Sequence, residues 1–308
     1  MSEPPSLRRR RQLFLAFTEA YSRNDPGREP STRPAKDSQP YLCIDGAPPR
    51  RWFSLFGRCA VAHVFAVEII AHRGASHDAP ENTLAAVRLA WAQGADAVEI
   101  DVRLTADEQL VVIHDSDTGR TAGAAACVDA TAGAALQELD VGRWKGAAYA
   151  GERIPWLDAV CAAVPVSRRL YLELKVGGTA VRELVRTLAR SRLTPAQVTI
   201  ITFDLEVART AKRLLPRTQV AWLVEAGAGL PPNSMAEIVQ RAQAAGLDGL
   251  GLEAALIDEA GLKPARAAGL TVHAWTVDDP DLARRLIAWE VDGITTNRPG
   301  WLRRELNL

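Results

Sequence analysis

Val67-Glu68-Ile69-Ile70-Ala71-His72-Arg73-Gly74 decides the fold of this chain. It is a short apolar, β-branched run of strand character that stops on two ionisable residues and a glycine. In a doubly wound sheet the first strand would normally be followed by a glycine-rich phosphate turn of the form GxGxxG. His72-Arg73-Gly74 is not such a turn. Further apolar runs follow at Ala97–Leu104, Leu110–His114, Leu170–Leu174, Val198–Phe203, Gln219–Val224, Gly249–Leu252, Thr271–Trp275 and Gly293–Thr296. Amphipathic stretches lie between them: Thr83–Gln93 after Pro80-Glu81-Asn82, Arg182–Ser191, a segment ending near Leu215, and Met235–Ala245. Strands alternating with helices imply βαβ units and a parallel sheet. About eight such units match the size of a (β/α)8 TIM barrel, an α/β fold whose active sites lie at the C-terminal ends of the strands.

The ionisable residues fall at such ends. His72-Arg73-Gly74, Glu99-Ile100-Asp101, His114-Asp115 and Glu173-Leu174-Lys175 each close an apolar run. Glu99 and Asp101, two apart on a strand, point to one face. With Glu173 from a neighbouring strand end, three carboxylates converge. Hard cations such as Mg²⁺ and Ca²⁺ take oxygen ligands of this kind, and without one the three would repel. The competing reading is an ion-pair network with Arg103 and Lys175. His72 and His114 are a natural proton-transfer pair, because histidine titrates near neutral pH. Arg73 and Lys175 are suited to pair with phosphate oxygens. Asp115 is placed either to orient His114 or to cap the turn after it. His273 reads equally as a packed or a functional histidine. Trp275, at the end of its strand, reads either as a packed core residue or as a candidate substrate wall for an apolar or glycerol moiety. Together these residues read as a metal-assisted phosphate site.

The remainder of the chain narrows the class. Of 308 residues 47% are apolar, enough for a substantial core. Formal charge is zero, but residues 1–66 hold 11 Lys and Arg against 6 Asp and Glu, so the body is mildly acidic. Such a body lacks the basic footprint of a nucleic-acid binder. Residues 1–66 also hold eight of the 18 prolines and show no sustained periodicity. They read as a disordered leader, or as upstream sequence translated from a start codon placed too early. The body, 67–308, is one barrel. Cys43, Cys59, Cys127 and Cys161 have neither zinc-ligand nor disulfide-framework spacing. The apolar run after Arg8-Arg9-Arg10-Arg11 is shorter than the roughly 7–15 residues of a signal peptide. Cys59–Ile70, broken by His63 and Glu68, falls short of the roughly 20 residues of a membrane span. A cytoplasmic enzyme without stable membrane insertion is expected; nothing in the sequence speaks to oligomeric state. Residues 116–155, rich in Gly, Ala and Thr, interrupt the repeat and read as an excursion on the site side, part of a substrate wall.

His72-Arg73-Gly74 with Pro80-Glu81-Asn82-Thr83, Glu99-Ile100-Asp101-Val102, His114-Asp115, Leu172-Glu173-Leu174-Lys175, Trp275-Thr276-Val277 and Asp292-Gly293-Ile294-Thr295-Thr296-Asn297-Arg298-Pro299 resemble the glycerophosphodiester phosphodiesterase family. The resemblance spans Ile69 to Pro299. It implies a TIM-barrel hydrolase that splits a small-molecule glycerophosphodiester into sn-glycerol 3-phosphate and an alcohol, using a divalent cation (Mg²⁺ or Ca²⁺). By the family pattern Glu99, Asp101 and Glu173 would be metal ligands, His72 and His114 general acid and base, and Arg73 and Lys175 phosphate binders. The nucleophile would be water or the substrate's own glycerol hydroxyl. Asn297 stands where relatives often carry Asp, a departure expected to bear only on barrel closure. Two alternatives belong beside this reading: a lysophospholipase D-type lipid phosphodiesterase, and a barrel that binds phosphodiesters without catalysis. The first would want an apolar mouth, and the second usually lacks at least one of the charged residues.

Overall fold

The computed structural model describes residues 67–227 and 235–308. The expected leader, 1–66, lies outside them. Nine strands form one sheet: β1 Glu68–His72, β2 Ala97–Leu104, β3 Leu110–Val112, β4 Arg169–Leu174, β5 Val198–Thr202, β6 Gln219–Val224, β7 Gly249–Glu253, β8 Thr271–Trp275 and β9 Gly293–Thr296. All except β3 run parallel, in the order β1-β9-β8-β7-β6-β5-β4-β2, and the β1–β2 pairing closes the ring. This is the eight-stranded barrel the alternation implied. Strands covered on both faces carry near-continuous apolar sequence; β5, Val-Thr-Ile-Ile-Thr, is buried along its whole length.

The run at Leu110–His114 departs from a barrel strand. Leu110–Val112 pairs antiparallel with β2, Val112 opposite Val102. The chain climbs past the rim on β2, turns at Thr105–Gln109 and descends, so that the Ile113 amide donates to the Asp101 carbonyl at 3.0 Å. His114 thus reaches the level of the carboxylates by doubling back rather than by ending a barrel strand. Four consecutive apolar residues, Leu110–Ile113, cannot distinguish these routes, because a parallel core strand and a hairpin return have the same composition.

Side-chain caps set the helix starts. Thr83 Oγ1 accepts the Ala86 amide at 3.2 Å to begin the helix Leu84–Ala92, and Asp204 accepts those of Glu206 and Val207 to begin Leu205–Leu214. Between helices and sheet lies the main core, including Ile69, Ile100, Leu172 and Ile200; each such side chain, fully buried, contributes about 1.5–3 kcal/mol. A smaller interior core of Ile70, Tyr171, Ile201 and Leu223 fills the barrel itself. Residues 116–155 are a compact excursion with their own core, Val111, Ile113, Val128, Leu136, Val141 and Ile154.

At the N-terminal rim one device repeats. Asp96, Asp248 and Asp292 each immediately precede a strand and accept an amide from the adjacent strand: Ile69 at 3.1 Å, Val220 at 2.8 Å and Val272 at 2.7 Å. The barrel is stitched shut at the end away from the catalytic candidates.

Candidate active site

The turn after β1 is built tightly. Arg73 and Gly74 both have positive φ, 56° and 81°. A Cβ on Gly74 would lie 2.6 Å from the Ala86 backbone, so only glycine fits there. This turn aims the Arg73 amide at Glu99 Oε2 (2.9 Å) and its guanidinium at Asp101 Oδ2 (3.2 Å) and Glu81 Oε1 (2.8 Å).

Glu99, Asp101 and Glu173 are 2%, 0% and 7% exposed, and one oxygen from each lies within 4.8 Å of the others. Register explains this: Glu99 and Asp101 share a face of β2, and Asp101 pairs with Glu173 across to β4. The three are compensated unequally. Asp101 accepts from Asn82 Nδ2 at 2.7 Å, its amide donates to Asn82 Oδ1, and Lys175 Nζ lies 3.1 Å away. Burial would raise the Asp101 pKa, but Lys175 and Arg73 outweigh it and hold the group below the usual range. Glu173 meets Lys175 Nζ at 2.5 Å, yet burial and the Asp101 charge push it up to about 7. Glu99 is raised well above the usual carboxylate range by burial, then by Asp101 and Glu173. Its Oε1 is buried and has no hydrogen-bond partner. A hard oxygen-donor set with an orphaned, desolvated carboxylate oxygen suits a divalent cation such as Mg²⁺ or Ca²⁺.

The two histidines are held by different partners. His72 Nδ1 lies 2.7 Å from Asn297 Oδ1. The Asn297 amide cannot flip, because its Nδ2 donates to Asp278 Oδ2 at 2.6 Å and Ser76 Oγ donates to its Oδ1. His72 therefore carries its proton on Nδ1 and leaves Nε2 as an acceptor. Burial and the Arg73 charge lower its pKa, keeping the ring neutral. Asn297 thus bears on the site itself, beyond the barrel closure expected of it. It directly follows β9, and the strand-end rule applied to the other clusters would have flagged it. His114 Nδ1 lies 2.7 Å from Asp115 Oδ1, so Asp115 orients the ring. Against the burial that would raise it, Arg120 and His114 hold Asp115 down to about 2.

Arg120 comes from the excursion and spans Asp115 Oδ2 (2.6 Å) and both Glu81 oxygens (2.8 Å). The arginine of the site, Arg73, and the partner of His114 are thereby tied into one network. Neither Glu81 nor Arg120 was singled out from the sequence. Glu81 sat inside a turn motif, and the excursion carries no periodicity to place Arg120. The excursion also departs from the wall expected of it: among the described residues none of 116–155 lines the cavity. It braces the loop after β1 instead, Lys145 Nζ donating to the Ser76 carbonyl at 2.7 Å and Tyr149 to that of Asp78 at 2.8 Å.

His72, Arg73, Glu99, His114, Glu173, Lys175 and Trp275 line one cavity of about 310 Å³, and Asp101 lies buried behind it. Arg103 turns away to the His114 carbonyl at 2.7 Å. Two cationic groups, two histidines and three carboxylates thus surround a volume suited to a small anionic substrate.

A sequence model of the glycerophosphoryl diester phosphodiesterase family matches residues 72–301. The putative glycerophosphodiester phosphodiesterase YhdW of Bacillus subtilis is 35% identical over 240 residues, covering 77% of this chain and 97% of that protein. The glycerophosphodiester phosphodiesterase of Caldanaerobacter subterraneus is 33% identical over 235 residues, 75% of this chain and 94% of that one. Among solved structures, an Oleispira antarctica phosphodiesterase in complex with the product sn-glycerol-3-phosphate has a TM-score of 0.71 at 30% identity, covering 79% and 98% of the two chains.

Proposed function

The chain belongs to the glycerophosphoryl diester phosphodiesterase family, and on that premise we propose that it hydrolyses small glycerophosphodiesters to sn-glycerol 3-phosphate and an alcohol, with a divalent cation held by Glu99, Asp101 and Glu173. As a family member it is a phosphoric diester hydrolase. The observation that carries the cation is the orphaned Glu99 Oε1, buried beside Glu173, the carboxyls of both being raised by burial and by the charge of Asp101. Bound there, Mg²⁺ or Ca²⁺ would polarise the phosphate and offset the carboxylate charge.

The chain's own residues divide the remaining work. Arg73 and Lys175 hold the phosphate oxygens and offset charge growing on them. His72, neutral and with Nε2 free, takes the proton from the attacking water, whose oxygen bonds to phosphorus as the bond to the leaving alcohol breaks. His114 then gives a proton to the departing alkoxide. Asp115 keeps its ring turned toward the cavity. Trp275 forms part of the wall. No helix among the described residues is long and apolar enough to cross a membrane; action on a soluble substrate in the cytoplasm is part of the same proposal.

Purified protein given glycerophosphocholine is expected to release sn-glycerol 3-phosphate. EDTA should abolish the release, and Mg²⁺ or Ca²⁺ should restore it. Turnover indifferent to EDTA overturns the cation assignment; no release from any glycerophosphodiester overturns the substrate assignment.

A further inference from the structure

Arg120 stands on a single helical turn of the excursion, Gly119–Ala122, and its side chain is 46% exposed. An exposed ion pair by itself contributes little to stability. This arginine is nevertheless held in one geometry. The turn that carries it is closed by Thr118 Oγ1, which accepts the Ala126 amide at 3.0 Å, and by Asp117 Oδ1, which accepts that of Gly119 at 2.8 Å. All three guanidinium nitrogens then donate: Nε to Asp115 Oδ2 at 2.6 Å, and Nη1 and Nη2 to the two Glu81 oxygens at 2.8 Å each. A planar fork of this kind fixes direction as well as charge, which an ammonium does not.

Its two partners depend on it unequally. Glu81 also accepts from Arg73, and Arg73 is secured besides by Asp101 at 3.2 Å and, through its amide, by Glu99 at 2.9 Å. The Asp115 carboxylate has two side-chain partners among the described residues, His114 Nδ1 on one oxygen and Arg120 Nε on the other. Arg103 holds the His114 carbonyl, so the backbone is fixed there, but the ring depends on Asp115. Without Arg120, Arg73 would keep three attachments, while Asp115 would be left with only the imidazole it has to orient.

We propose that Arg120 is a positioning residue for the acid step: anchored on Glu81, it locks Asp115, which fixes the His114 ring with Nε2 toward the cavity that His114 lines. The proposal rests on the phosphodiester reading above and deepens it. The excursion then has a second duty besides bracing the loop after β1, that of orienting the group that protonates the departing alkoxide. The leaving group separates this duty from one in stability or in phosphate binding. Choline departs as a strongly basic alkoxide and needs a proton, whereas 4-nitrophenolate, a far weaker base, departs without one.

Steady-state kinetics of the full chain with Mg²⁺ or Ca²⁺ test this, on glycerophosphocholine and on the 4-nitrophenyl diester of sn-glycerol 3-phosphate. Arg120→Met is expected to lower kcat for the choline diester about 30-fold, part of the roughly 10²–10⁴-fold that a positioned acid supplies, with KM within about twofold. For the nitrophenyl diester the fall should stay below about threefold. Arg120→Lys keeps a charge for Asp115 without the fork and should lie between, so it decides if Arg120→Met does not fold. His114→Ala should show the same dependence on leaving group, and Arg120→Met added to it should cost less than about twofold more, because the ring through which Arg120 acts is gone. Equal losses on both diesters, unchanged kcat on both, or a full further loss in the double variant overturns the positioning role and leaves the phosphodiesterase reading standing. Turnover of neither diester by wild type overturns that reading and the inference with it.

Discussion

At the floor of the barrel Glu68 pairs with Arg169, while Asp96, Asp248 and Asp292 each accept an amide of the neighbouring strand. At the opposite rim Glu99 Oε1 accepts nothing, Glu173 is pushed up to about 7, and the charges of Arg73 and Lys175 are shared among more carboxylates than they can satisfy. The same side-chain type is used at the floor to hold strands together and at the rim to hold potential in reserve. Carboxylates crowded in a desolvated space cost stability unless a cation joins them. The floor therefore contributes to the fold, and the rim gives up part of that stability to the proposed cation site.

The sharpest way to break this contrast is Glu99→Gln. The amide keeps the shape and removes the charge a cation would meet. Loss of several kcal/mol of metal-assisted transition-state stabilisation corresponds to on the order of a 10³-fold fall in kcat/KM. In metal-free buffer the variant should melt no lower than wild type, because neutralising Glu99 relieves repulsion with Asp101 and Glu173. Near-normal activity, or a large drop in metal-free melting temperature, would place Glu99 with the floor carboxylates instead.

Acidity offers a second break. The folded-state pKa of Glu173 lies above its ordinary value, so the folded chain binds this proton more tightly than the unfolded one. The associated stability is fully present below about pH 4.5 and is lost as pH rises toward 7, at up to about 1.4 kcal/mol per unit. Metal-free urea titrations should show a shallower decline in Glu173→Gln than in wild type, the remainder belonging to Glu99, whose carboxyl is also raised, and a saturating cation should reverse the wild-type decline by about 2.7 kcal/mol at a hundred times its Kd. A wild-type profile matching that of Glu173→Gln would sink the account.

The barrel was legible because β1, β4 and β5 are short apolar runs bounded by helices, and a strand buried on both faces has little choice of composition. The convergence of Glu99, Asp101 and Glu173 was legible for a related reason: period-two geometry and strand-end position fix direction without any knowledge of packing. His114 was placed among the same residues, but its path there, down an antiparallel return, depends on a hairpin that four apolar residues do not encode. Arg120 and Asp278 stayed hidden because the partners that reveal them come from elements distant in the chain. Sequence spacing speaks to a residue's own element and says nothing of what faces it.

The smallest effect comes from the floor. Asp248→Ala removes the acceptor of the Val220 amide (2.8 Å) and one partner of Lys212 (2.8 Å). Lys212 is partly exposed and keeps the carbonyls of Pro216 and Thr218, so the ion pair itself contributes little. The cost lies in an amide left unpaired where β6 meets β7, about 1–3 kcal/mol. The Asp248 carbonyl still accepts the Thr271 amide at 3.0 Å, so the neighbouring junction survives. Urea melts should register that loss, while kcat/KM per folded molecule stays within about twofold, because the catalytic candidates sit at the far ends of the strands. A tenfold fall in kcat/KM with unchanged stability would mean that the floor tunes the rim, and the separation of the barrel's two ends would fail.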